Sequence, residues 1–373
     1  MLVGLSLTGG GARGAYQAGV ARGIAEVLKA KNIHNPFTYY SGMSAGSINA
    51  SFLAAHEGSF VESSETLCKL WKGIEADNVY RTDSLSLGKI GLQWMRDLSL
   101  GSAFRERLAH QLLDASPLSD LLGKHIPFEK INGNLESGKL LGVACSAFNY
   151  DEQKNVAFIQ TKDKSISWVR AKRYSQQVEL ELSHVLASCA IPVLFAPIPV
   201  GDSYYGDGSL RNTAPLSPLI RMGCRNMILV GVRYGGASEK VTHFSHRPSI
   251  SKVLGIILNG LFFDSLDMDV DRLKHINELT KNLNQLQEKS EKVNFLYIKP
   301  SKDLAQIAMD AGKSKLPKLV SYLLGGLGGK NESSELTSYL LFHSTYLDQL
   351  VELGYNDAFS IKDEIVRFYS ELE

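Results

Sequence analysis

One short stretch constrains this chain more than any other. Residues 40–51 read Y-S-G-M-S-A-G-S-I-N-A-S, with Gly42-Met43-Ser44-Ala45-Gly46 at the centre. A G-x-S-x-G run calls for a sharp strand-to-helix turn with the serine at its tip. Glycines on either side remove Cβ atoms that would collide in that turn. The hydroxyl then stands at a helix start, where the dipole favours negative charge. The flanks agree. Residues 37–40 (F-T-Y-Y) are β-prone and follow Pro36, and residues 45–55 (AGSINASFLAA) suit a buried helix packed close to a sheet. Alone, the pentapeptide also fits an ordinary tight βα turn.

A second strand–loop–helix unit precedes it. Residues 2–8 form an apolar run consistent with a buried strand. Residues 9–14 read G-G-G-A-R-G, and residues 15–31 carry Val20, Ile24, Val27 and Leu28 at helical spacing. Such a unit aims backbone N–H groups at an anion. Gly9, Gly11 and Gly14 match the G-x-G-x-x-G spacing of a nucleotide loop. Residues 31–36 (K-N-I-H-N-P) offer no carboxylate for a ribose, however, and no Walker lysine is present. A phosphate loop, an oxyanion hole and a plain turn stay open on these residues alone. Parallel neighbouring strands would bring both loops to one sheet edge. A serine tip beside a nest of backbone donors is what acyl transfer needs.

The run LSLTGGGARGAYQAGV followed by GMSAGSINA resembles the patatin-like phospholipase family. That family joins a G-G-G-x-[RK]-G oxyanion loop to a G-x-S-x-G elbow and a D-G-[GA] block. Here Tyr205-Gly206-Asp207-Gly208-Ser209 is the third block, with Ser209 where the family has glycine or alanine. An A-S-x-A-x-P segment like that at 187–192 leads toward the aspartate in the family, in the same order. The resemblance covers residues 1–232, with gaps. It implies a three-layer α/β/α fold with a mainly parallel central sheet and a helical C-terminal extension. The expected divisions are a catalytic core at 1–235, its continuation at 236–300, and a helical region at 301–373.

The resemblance also implies roles. Ser44 would be the nucleophile and Asp207 the general base, then acid. Gly9, Gly10, Gly11, Arg13 and Gly14 would form the oxyanion hole, with Arg13 bracing the loop or facing a lipid phosphate. Gly42, Met43, Ala45 and Gly46 would shape the elbow, and Gly208 and Ser209 the aspartate turn. Phospholipids, lysophospholipids or neutral acylglycerols would be the substrates, with no metal or other cofactor.

A serine hydroxyl needs a base. A Ser–Asp–His order would draw on His243, His246, His275 or His343. None of these stands in a glycine-flanked strand end, and only one βα unit precedes the elbow. Composition adds exclusions. With 40 basic and 39 acidic side chains the net charge is +1, so nothing pulls the chain toward nucleic acid. Cys68, Cys145, Cys189 and Cys224 are too scattered for a zinc site or a disulfide framework. No run reaches spanning length and no leader is read at the start. The expected location is cytoplasmic or peripheral to a membrane, with transient surface contact through residues 250–263 and 316–327. The need for an activating protein stays open.

The remaining pattern predicts a cap or surface helix at 85–95 and two strands at 139–147 and 156–161. It also predicts a helix at 182–192, a buried strand at 226–232 and a surface loop at 235–249. A core or interfacial helix follows at 250–266, a charged amphipathic helix at 267–291 and a last strand at 293–298. A flexible loop is expected at 328–334. Helices at 338–353 and 361–372 would flank Gly354-Tyr355.

Overall fold

The computed structural model describes residues 2–83, 111–212, 214–236, 264–284, 292–312 and 334–372. It also describes positions 253, 256, 257, 259, 260, 315–317, 320 and 321. The segment expected at 85–95 lies outside the described residues, as do most of 235–263 and 316–333.

Strands of continuous apolar or small residues take the centre of the sheet, where both faces are covered. They are β1 (Val3–Leu7), β2 (Tyr39–Met43), β3 (Gly142–Asn149) and β4 (Lys154–Thr161), followed by the short edge strands β5 (Val169–Arg170) and β6 (Arg173–Gln177). Later come β7 (Ile198–Val200), β8 (Ser203–Asp207), β9 (Asn226–Val230) and β10 (Asn294–Ile298). The order is β10-β9-β1-β2-β3-β4-β6-β5, and β10 through β3 run parallel. β4 returns antiparallel to β3.

Helices cover both faces. The first are α1 (Gly14–Lys29), α2 (Ala45–Ala55) and α3 (Phe60–Lys72), then α4 (Ser116–His125), α5 (Lys130–Glu136) and α6 (Leu182–Cys189). After these come α7 (Ser217–Arg221), α8 (Ser265–Asn284), α9 (Leu304–Ala311), α10 (Ser334–Leu340), α11 (Ser344–Ser360) and α12 (Lys362–Ser370). Val3, Leu5 and Leu7 of β1 join a large core with α1, α2, α3 and the C-terminal helices. Met227 and Leu229 of β9 join a smaller core on the other face with Leu219, Leu266 and Val270. The α/β class, the mostly parallel sheet and the C-terminal helices agree with the sequence expectation.

The boundary expected at Gly354-Tyr355 is different. α11 runs unbroken through both residues, and residues 338–340 belong to α10. The reason is packing. A Cβ on Gly354 would strike the Tyr16 carbonyl, and one on Gly19 the Val351 carbonyl. These glycines let α1 and α11 touch backbone to backbone, and that packing outweighs the low helix propensity of glycine.

Candidate active site

β2 pairs with β3 up to Met43↔Ser146. β8 then takes the same edge of β3 in the opposite direction, with Asp207↔Ala147. Two strands thus meet end to end beside β3. Ser44 follows the last residue of one, and Asp207 is the last residue of the other. Chain topology, not local sequence, brings them together across 163 positions (207 minus 44).

Ser44 has φ 52° and ψ −130°, a conformation non-glycine residues seldom adopt. It holds only because the surroundings over-determine it. Its N–H donates to Ser188 Oγ at 2.9 Å, and the Ser188 hydroxyl donates to the Ser146 carbonyl at 2.6 Å. The Ser44 carbonyl accepts from Ser47 N at 2.8 Å and Ser47 Oγ at 2.6 Å. A Cβ on Gly42 would strike the Gly46 carbonyl, and one on Gly46 the Leu7 carbonyl. Both glycines of the pentapeptide are therefore demanded sterically, and the second seats the elbow on β1.

Asp207 is fully buried. Its N–H donates to the Ala190 carbonyl at 2.8 Å. Oδ1 accepts from Ser209 N at 2.9 Å and from the Ser209 hydroxyl at 2.6 Å. Oδ2 accepts no hydrogen bond of standard geometry among the described residues. Burial raises the carboxyl pKa to about 6, opposed by the bonds from Ser209 and by the nearby Ser44 hydroxyl. The Ser44 hydroxyl is thus close enough to favour the carboxylate while Oδ2 stays unsatisfied. Catalytic hydrogen bonds are often loose in the free enzyme and close on substrate. Ser209, the departure from the family pattern, supplies a donor that glycine or alanine could not. Asn155 Nδ2 donates to the Gly208 carbonyl at 2.7 Å, and a Cβ on Gly208 would meet Ser146 O.

The glycine loop lies on the neighbouring strand, as parallel β1 and β2 require. Gly10 and Gly11 have φ 157° and 55°, and no side chain caps the 3-10 turn Gly11–Arg13 or the start of α1. Gly11 and Ser44 line one cavity. Its other walls are almost wholly apolar, including Ile48, Trp71, Leu122 and Phe195. A buried polar relay joins loop to elbow. Gln17 donates to the Thr8 carbonyl at 2.8 Å, Asn49 to the Gly14 carbonyl and to Gln17 at 3.0 Å each, and Trp71 to Asn49 at 2.7 Å.

Arg13 does not line the cavity. Its side chain turns to the C-terminal helices, donating from Nε (2.9 Å) and Nη2 (2.6 Å) to Ser338 Oγ and from Nη2 to Glu335 at 2.5 Å. Of the histidines considered for a triad, His343 accepts from Thr345 N as the cap of α11, and His275 is exposed on α8. His243 and His246 lie outside the described residues. No described histidine lines the cavity, and no described cluster could hold a metal ion.

Sequence reasoning missed Ser47, Ser146, Asn155, Glu335 and Ser338. Ser188 lies in the A-S-x-A-x-P segment at 187–192 that the resemblance singled out, although its bond to Ser44 could not be read there.

A family model described as patatin-like phospholipase matches residues 5–220. No curated protein sequence matches the chain. Among solved structures, VipD from Legionella pneumophila is 15% identical over 97% of this chain and 66% of its own, with a TM-score of 0.37. Two structures of ExoU with SpcU, from the type III secretion system of Pseudomonas aeruginosa, also match. They are 15% and 16% identical, cover 94% and 97% of this chain and 70% and 69% of theirs, and have TM-scores of 0.26 and 0.29. The chain therefore spans just under two thirds of VipD.

Proposed function

The chain belongs to the patatin-like phospholipase family, and we propose that its lipid acyl hydrolase chemistry runs on a Ser44–Asp207 dyad. One observation carries this reading. A fully buried carboxylate with a pKa of about 6 and an unsatisfied Oδ2 lies close to the hydroxyl of a strained elbow serine.

In the proposed mechanism Ser44 Oγ attacks the ester carbonyl as Oδ2 takes its proton. Burial supplies the basicity that an ordinary aspartate lacks at neutral pH. The developing oxyanion is received by backbone N–H groups of Gly10 and Gly11, where losing one donor typically costs about 3 kcal/mol of barrier. Collapse passes the proton from Asp207 to the leaving alkoxide and leaves an acyl-Ser44 ester. Water then attacks that ester with Asp207 again as base. The acyl chain lies in the apolar cavity between Ile48, Trp71 and Phe195.

The substrates proposed are carboxylic esters of membrane lipids, phospholipids and lysophospholipids first. No described helix is long and apolar enough to cross a membrane. Val193, Ile256 and Ile257 stand more than half exposed, at 55%, 58% and 51%, which suits transient contact with a lipid surface.

Fatty-acid release from phospholipid vesicles in the presence of a chelator tests the dyad. Wild type should be active, and Ser44→Ala and Asp207→Asn should each lose at least about a thousandfold in kcat while remaining folded. An Asp207→Asn enzyme with near-normal turnover would sink the proposal.

A further inference from the structure

The family match ends at residue 220, yet the glycine loop is held from residues more than a hundred positions further on. Arg13 lies inside that loop and its side chain is only 4% exposed. A buried guanidinium must be paired, and this one is gripped as a fork. Nε and Nη2 share Ser338 Oγ, Nη2 also meets Glu335, and the guanidinium carbon lies 4.8 Å above the Tyr339 ring. Glu335 and Ser338 are three apart on α10 and so lie on one face. The Ser338 hydroxyl in turn donates to the Glu335 carbonyl at 2.6 Å.

The same short helix reaches the cavity. Tyr339, Leu340 and the following Phe342 line it together with Gly11 and Ser44. The Tyr339 carbonyl sits where a Cβ on Gly11 would fall, so loop and helix meet with no side chain between them. The far end is anchored as well, because Tyr80 donates to the Leu340 carbonyl at 2.8 Å and packs edge-on against Phe342.

We propose that Glu335 and Ser338 are positioning residues for the Gly9–Gly14 loop, acting through Arg13, and that α10 couples filling of the acyl cavity to the loop. The proposal rests on the dyad reading above, in which this loop receives the oxyanion. An acyl chain packed against Tyr339, Leu340 and Phe342 presses on the element that holds Arg13 and covers Gly11. Seating of the chain and alignment of the donors then become one event. A fluctuation of the loop has to break a buried, charge-assisted contact, and an ångström of misplacement at such a site is costly to rate.

The test is steady-state hydrolysis of soluble esters with a short and a long acyl chain, assayed well below each variant's unfolding midpoint. Glu335→Gln should lower kcat on the long ester by about tenfold or more with KM nearly unchanged. It should also lose the gain in kcat that wild type shows for the long ester over the short one. Arg13→Gln should match it, and the double variant should be no worse than either single one, because the two residues act as one unit. Ser338→Ala, which removes only a hydroxyl, should show the same signature more weakly and covers a failure of Glu335→Gln to fold. Wild-type kcat in Glu335→Gln, or a lowered midpoint with kcat and the chain-length gain intact, overturns the proposal. Ser44→Ala runs beside these variants. Its loss of activity keeps the dyad reading, whereas its survival would overturn that reading and not the clamp alone.

Discussion

At the scale of single residues, the site sets two costly features side by side. Ser44 holds a backbone conformation worth on the order of 1–3 kcal/mol of strain, and Asp207 is a fully buried carboxylate. Each is retained by specific partners, Ser188 and Ser47 for one and Ser209 for the other. Under the proposed dyad, Asp207 sets the pH response. As the proposed base it must be ionised, and burial raises its pKa to about 6. kcat/KM should therefore climb through pH 6 and fall away below it. The Ser209 hydroxyl bonds to the ionised form and holds that pKa down. Ser209→Ala should move the acidic limb to higher pH by about half a unit to one unit. A limb that stays in place or moves down would show that Ser209 does not tune the base. The placement of Ser44 and Asp207 at glycine-flanked turns was legible in the sequence because such turns leave a local signature. The bond from Ser209 to Asp207 was not, since a serine in a tight turn looks the same whether or not it bonds to its neighbour.

At the scale of elements, close approach and edge position decided what could be read. α2 matches the predicted 45–55 because its small residues report tight packing against the sheet. β9 was visible as an unbroken apolar run. The pair β5 and β6 was not, because R-Y-S-Q-Q lacks an apolar face and becomes a strand only by pairing with β4 and β5. Gly354 misled for a related reason. A glycine that ends a helix and one that admits a neighbouring helix are the same letter. Gly354→Ala should destabilise the protein by about 1–3 kcal/mol through overpacking against Tyr16. Chemical denaturation measures this directly, and an unchanged or raised stability would show that α1 and α11 have room to separate.

At the scale of the whole molecule, the site is a consequence of strand order. Parallel β1 and β2 put the glycine loop beside the elbow, and β8 enters antiparallel where β2 stops, which aims Asp207 at Ser44. The motif order in the sequence agreed with this arrangement without revealing it, because no local pattern encodes which edge of β3 a later strand will take. The C-terminal part was legible as a helical region, though not the bounds of its helices. Their contribution to the cavity wall was not, since Tyr339 and Gly11 are separated by 328 positions (339 minus 11). The central claim is that acyl transfer passes through Ser44 with Asp207 as its base. The most direct measurement is to quench turnover of a long-chain ester rapidly and map the acylated peptide by mass. The acyl group is predicted on Ser44 in wild type and on no residue in Asp207→Asn. An acyl group on another residue, or full acylation of Ser44 without the Asp207 carboxylate, would contradict the account.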